Sequence, residues 1–178
     1  MPNEKIVIIR NAAPYDFGGG ERFPVFLATS LAKQGVDSII VSRSKKLLSF
    51  AEENNISTVR GWWCKRQNWS GVRVFAIPIY IVWQIILFFY YVSLIKKVDA
   101  TAVHIQSKDD FISATYAAKF LGKRVIWTDH ADLKHVFQNL TVWYKNPIGK
   151  MVYRAAHKAD TITVVSESER RLVTAHFP

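Results

Sequence analysis

Cysteine is nearly missing from this 178-residue chain, which carries one, Cys64. A single thiol excludes an intramolecular disulfide and a cysteine-rich zinc site, and it fits a reducing compartment. A signal peptide is missing too: charged Glu4 and Lys5 lead into an apolar run too short for an h-region, so a cytoplasmic protein is expected. No internal repeat, low-complexity tract or interdomain linker interrupts the chain, whose length suits one domain with a sizeable core. Acidic residues are scarce, 14 against 24 lysines and arginines, and the formal net charge is +10. In a chain that is 49% hydrophobic with six tryptophans, that excess points to an anionic surface or ligand: a membrane, nucleic acid or phosphates. Nucleic acid fits worst, because no recognisable module is present and the tryptophans do not sit on an RNP-like strand.

What is present is organised around the first thirty-odd residues. Lys5-Ile6-Val7-Ile8-Ile9-Arg10 is a nearly unbroken apolar run, as expected of a parallel strand buried on both faces. A polar, turn-rich loop over residues 11–17 leads to Gly18-Gly19-Gly20-Glu21-Arg22. Phe23, Leu27 and Leu31, with Ala28 and Ala32, then recur at helical spacing up to Gly35, a C′ stop. Three glycines before a helix N-terminus let backbone N–H groups approach a ligand, and the helix dipole favours an anion such as a phosphate. The alternative is a turn that needs glycine only for its angles. The loop is not a Walker A motif, lacking Gly-Lys-Ser/Thr, and its spacing is not that of the dinucleotide GxGxxG.

Further strands are expected at residues 37–41, 56–59, 72–77, 101–106, 124–128 and 161–165. Helices are expected at 45–54, from Pro78 to about residue 98, at 110–121 closed by Gly122, from Asn146-Pro147 onward, and from Ser166. In the helix after Pro147 the buried stripe is Ile148, Met151, Val152, Ala155, Ala156 and Ala159. The helix at 110–121 has Phe111, Ala114, Ala118 and Leu121 on one side. Strands alternating with helices imply right-handed crossovers and an α/β, Rossmann-like, doubly wound and mainly parallel sheet of about seven strands. Ligands in such sheets bind beyond the carboxyl ends of the strands.

Several stretches, in order, resemble glycosyltransferase family 4. They are the entry strand with Gly18-Gly19-Gly20-Glu21-Arg22, then Ala102-Val103-His104-Ile105-Gln106, Arg124-Val125-Ile126-Trp127-Thr128-Asp129-His130, and Ala159-Asp160-Thr161-Ile162-Thr163-Val164-Val165-Ser166-Glu167. The resemblance implies the N-terminal half of a GT-B fold, mainly acceptor-binding, spanning residues 1–178. It implies a C-terminal donor-binding domain, with the family's paired glutamates, that this chain does not contain, so that the chain alone should not turn over. It also implies a retaining glycosyltransferase acting on a nucleotide-sugar and an acceptor glycan or lipid, with no metal and no cofactor beyond that co-substrate.

Carried over residue by residue, Gly18, Gly19 and Gly20 would lie against the donor diphosphate or transferred sugar, and His130 would be the catalytic residue beside the sugar. Oriented amides stabilise charge on a departing diphosphate, and a strand-end histidine can hydrogen-bond a sugar hydroxyl. Asp129, Asp132 and His104 are the acceptor-binding candidates, although strand-end aspartates also cap helices and His104 also suits a structural role. Gln106 stands where the family often has a second histidine, and Ala131 where it has glycine.

Two greasy features call for a partner. From Phe75 to Ile95 only Pro78, Gln84 and Ser93 interrupt apolar and aromatic residues, near the roughly 20 residues a span needs. Strands of one sheet flank this helix, which argues against crossing a bilayer; its outer face is expected to carry Trp83, Phe88, Phe89, Tyr90 or Tyr91. Trp62, Trp63 and Trp69, interleaved with Lys65, Arg66 and Arg73, form the second feature, and Lys150, Arg154 and Lys158 form a basic stripe. Such residues favour anionic headgroups. Peripheral attachment to the inner face of the cell membrane is expected, with Trp62, Trp63, Lys65, Arg66, Trp69 and Trp83 in contact; a large core or a protein interface is the alternative.

Two other classes compete. One is a non-catalytic membrane-binding module that pairs with a separate catalytic chain. The other, a nicotinamide-dependent oxidoreductase, lacks the glycine spacing, and Ser42-Arg43 stand where a ribose-binding acid is needed.

Overall fold

The computed structural model of the chain describes residues 4–11, 17–62, 77–130, 133–137, 139–141 and 145–177. Its strands are β1 (Lys5–Ile9), β2 (Asp37–Ser42), β3 (Ser57–Arg60), β4 (Ala102–Ile105), β5 (Arg124–Asp129) and β6 (Thr161–Val164). They form one sheet in the order β3-β2-β1-β4-β5-β6, with every neighbouring pair parallel. This is the doubly wound Rossmann-like sheet, with six strands among the described residues. Of the strand expected at 72–77, residues 72–76 lie outside those described, and Ile77 opens a helix instead.

The helices are α1 (Gly19–Ala32), α2 (Lys45–Glu53), α3 (Ile77–Val98), α4 (Lys108–Phe120), α5 (Leu133–Val136), α6 (Pro147–Ala156) and α7 (Glu167–His176). Their ends follow local chemistry. Ser44, Asn146 and Ser166 accept from the amides of Leu47, Gly149 and Glu169, satisfying N-terminal donors of α2, α6 and α7. Gly35 and Gly122, at φ 76° and 66°, end α1 and α4 in the left-handed region that suits glycine.

Two cores sandwich the sheet. On one face Ile8 and Ile40 pack with Val25 and Ala28 of α1 and Leu47 and Ala51 of α2. On the other, Val7, Ile9, Val103, Ile105, Val125 and Trp127 pack against α3, α4 and α6. Trp127 is fully buried, stacks on Phe111 at 4.0 Å, and donates its indole N–H to Thr115 at 2.8 Å.

Two helical faces differ from their sequence reading. The buried face of α1 is Glu21, Pro24, Val25 and Ala28, whereas Phe23 is turned outward and Leu27 and Leu31 are half-buried. The rotation lets Glu21 reach inward to Arg10, as described below. In α3, Tyr91 is buried and Trp83, Phe88 and Tyr90 are half-buried, so the exposed face is aliphatic apart from Phe89: Ile79, Ile81, Val82, Ile85 and Ile86.

The inward face of α3 explains that rotation. Gln84 donates to Asp109 O and accepts from Ser113 N, and the Tyr91 hydroxyl donates to Asp110 Oδ1 at 2.6 Å. These polar groups are buried and need their α4 partners, which holds one side of α3 against the domain. By length and composition α3 could cross a membrane. One side of it is pinned to α4, and the other side is apolar and open.

Candidate functional site

The strand order reverses between β1 and β4, the place where an open α/β sheet forms a crevice beyond its carboxyl ends. The ladder continues there, with Gln106 N donating to Ile9 O at 2.9 Å. Arg10, just past β1, spans the gap. Its Nη1 donates to Gln106 O at 2.8 Å, and its Nη2 pairs with Glu21 Oε1 at 2.8 Å. Asn11 N donates to the Ser107 hydroxyl, closing the same seam.

Glu21 sits in the first turn of α1 and accepts the Gly18 amide through Oε2 at 2.9 Å. This is half of a capping box; Gly18 has no side chain to make the reciprocal bond. Burial alone would raise the Glu21 carboxyl, but the Gly18 amide and the Arg10 guanidinium outweigh it and hold the group below its ordinary value. One hinge amide is therefore engaged by a carboxylate of the chain itself. Gly19 and Gly20, the first two helical positions, have no intrahelical acceptor for their amides.

The three glycines have separate reasons. A Cβ on Gly20 would come within 2.8 Å of Arg10 Nη2, so the guanidinium would have to shift from its place beside Glu21. A Cβ on Gly18 would make ordinary contact with Glu21. On Gly19 it would meet nothing within 4 Å, and Gly19 is exposed. Packing within the described residues therefore gives no reason for glycine at 19.

His130 follows β5, and its ring meets Phe23 edge-on at 5.5 Å between centroids. Phe23 is two residues beyond Glu21 on α1, so the imidazole packs against the N-terminal part of that helix. His104 lies nearby on β4, 7% exposed, with Nε2 2.6 Å from the Thr128 hydroxyl. Burial, then the neighbouring His130, pushes its pKa down to about 4. Asp129 is buried and turns both carboxylate oxygens to Leu133 N at the start of α5, the capping role. The structure thus brings His130 against Phe23 of α1 and beside His104.

Other candidates fall elsewhere. Asp132, Trp63, Lys65, Arg66 and Trp69 lie outside the described residues. Trp62 is exposed and packs on Trp83 of α3 at 5.5 Å. Among the described residues no group of three His, Cys, Asp or Glu side chains is arranged to hold a metal. Arg10 was missed in the sequence. Its signal is weak: a cation ending an apolar strand, with a glutamate eleven residues on that matches a helix cap.

A parallel sheet flanked by helices, with its strand order reversing between β1 and β4, defines a Rossmann-like domain. The chain belongs to Glycosyltransferase Family 4, whose family model matches residues 17–178. Among solved structures, the lipopolysaccharide outer core galactosyltransferase WaaB in its apo form is similar at TM-score 0.66 and 15% identity, over 98% of this chain and 43% of that one. MurG of Acinetobacter baumannii is similar at TM-score 0.58 and 13% identity, over 92% and 41%. S. aureus MnaA, solved with UDP, is similar at TM-score 0.61 and 14% identity, over 98% and 41%. No curated protein matches the chain. At these identities the likeness concerns the fold, a GT-B half, and the chain spans about two-fifths of the length of these structures.

Proposed function

We propose that this chain is the acceptor-side half of a retaining glycosyltransferase that moves sugar from a nucleotide-sugar to a lipid-linked or envelope glycan. The observation that supports this is the Phe23–His130 contact, which packs the imidazole against the helix that the glycine run opens. In this reading Gly19 and Gly20 N–H groups face the donor diphosphate, where oriented amides offset the negative charge that grows on the leaving group. His130 hydrogen-bonds a hydroxyl of the transferred sugar. His104 and Asp132 border the acceptor, and Asp129 caps the start of α5. A second, donor-binding domain closes the cleft, and the chain alone is inactive. The UDP bound to the similar MnaA structure supports a nucleoside-diphosphate donor.

The test separates fold from chemistry. Gly19→Ala should leave the unfolding midpoint unchanged or raise it slightly, because the site is open and a Cβ stiffens the unfolded chain. With the donor-binding domain present, it should lower transfer roughly tenfold or more by holding the diphosphate off the amides. Gly20→Ala should instead cost stability, by displacing Arg10. His130→Ala removes one sugar contact worth about 2 kcal/mol, roughly thirtyfold in kcat/KM. Full activity in folded Gly19→Ala and His130→Ala variants would leave the hinge as a plain turn.

The cleft works, in this proposal, at the inner face of the cell membrane. Ile79, Val82, Ile86 and Phe89 are exposed along α3, Trp62 is exposed beside it, and Lys96 and Lys97 end the helix. An apolar stripe with cations at its end suits an anionic lipid surface. Replacing Ile79, Val82, Ile86 and Phe89 with serine should abolish most cosedimentation with phosphatidylglycerol vesicles. Unchanged sedimentation would make that face a protein interface. Vesicle binding by a chain that shows no sugar-nucleotide contact, even beside its second domain, would favour the non-catalytic module.

A further inference from the structure

His104 ends a chain of hydroxyls whose direction can be worked out from its far end. The Thr163 hydroxyl donates its single proton to Trp127 O, a carbonyl that can only accept, at 3.0 Å. With that proton on Trp127 O, the Thr163 oxygen accepts from Thr128 in their 2.7 Å contact. Thr128 has then spent its only proton. In this arrangement the 2.6 Å contact between Thr128 Oγ1 and His104 Nε2 has Nε2 carrying hydrogen and donating.

We propose that Thr128 and Thr163 are positioning residues that hold His104 as the Nε2–H tautomer, leaving Nδ1 as its acceptor for a ligand hydroxyl. The three side chains come from β4, β5 and β6, and the register that sets Thr128 beside Thr163 makes the chain a product of sheet pairing. A neutral ring that can only accept at Nδ1 suits a sugar hydroxyl, a donor, and repels a phosphate oxygen, an acceptor. The division of labour follows: hinge amides for the anion, His104 for the polyol. The tautomer stands on the hydrogen bonds alone, whereas the ligand clause rests on the proposed function.

The experiment is long-range ¹⁵N–¹H correlation on the ¹⁵N-histidine-labelled 178-residue chain at pH 7, with His104 assigned by His104→Asn. Wild type should show the neutral Nε2–H pattern. Thr128→Val should lose that single pattern and give a mixture of tautomers, and Thr128→Ser should restore it. Thr163→Val, at an exposed position, should also give a mixture and guards against a folding defect in the first variant. An Nδ1–H or doubly protonated ring in wild type, or an unchanged pattern in both valine variants, overturns the proposal. Titration with methyl α-glucoside, an acceptor-type polyol, against inorganic diphosphate tests the ligand clause. An Nδ1 shift that moves only with the glucoside supports it. A shift that moves equally with diphosphate, or with neither, overturns that clause while leaving the tautomer result standing, so the two failures are distinguishable.

Discussion

Glu21→Ala should lower the thermal midpoint by roughly 6–12 °C, the largest loss expected from any single change at the hinge. Both side chains of the Arg10–Glu21 pair are mostly buried, at 17% and 11% exposure. Removing the carboxylate leaves a guanidinium that, among the described residues, lacks a partner at Nε and is held only through Gln106 O. Breaking a buried pair from one side costs about 3–5 kcal/mol, and residual solvent access places this pair at the low end. The Gly18 amide also loses its acceptor, so the start of α1 should fray. Glu21→Gln keeps an acceptor for that amide and should recover part of the loss. Arg10→Met with Glu21→Leu should recover more, because no lone charge stays buried. Thermal denaturation of the four proteins gives the comparison; a midpoint within about 2 °C of wild type for Glu21→Ala would show the pair to be incidental.

Acidification should weaken the fold well before the carboxylates titrate. His104 has its pKa pushed from 6.5 to about 4, by burial first and by His130 second. Between those values the unfolded chain binds a proton at this ring and the folded chain does not. Falling pH therefore favours unfolding across that window, and the contribution present above pH 6.5 is lost by about pH 4. The full span corresponds to on the order of 3 kcal/mol. Glu21 and Asp160 also have lowered values, Asp160 mainly through Lys119, and their losses set in later, as pH falls through the ordinary carboxylate values of 4.5 and 3.8. Urea unfolding at pH 7, 6 and 5 should show the decline in wild type and a flatter profile in His104→Asn. Parallel profiles would mean that the ring charges freely in the folded state.

Much of the architecture was legible because its signals are local. Runs of β-branched residues bounded by Gly35, Gly122 or a capping serine mark strands and helices within a few positions. The site was legible only in outline. Gly18, Gly19 and Gly20 stood out by spacing, but Arg10 and Gln106 are 96 residues apart and no periodicity links them. The outward turn of Phe23 was hidden for a related reason: helical spacing allowed a stripe through Phe23, Leu27 and Leu31, and the ion pair to Arg10 chose the neighbouring one through Glu21, Val25 and Ala28. On α3, uniformly apolar residues carry no rotational signal, so the hydrogen bonds of Gln84 and Tyr91 decided which side faces out.

The amino-acid sequence by itself determined the alternation of strand and helix, the parallel pairing that such crossovers require, the caps, and the glycine run before α1. Those properties depend on neighbours one to four residues apart, which the chain order specifies directly. Tertiary structure alone decided that β1 lies beside β4, that His130 meets Phe23, that Glu21 occupies the Gly18 amide, and that His104, Thr128 and Thr163 share one line of hydrogen bonds. Each needs segments tens of residues apart to meet with side chains on the same face, and only the packed sheet supplies that registration.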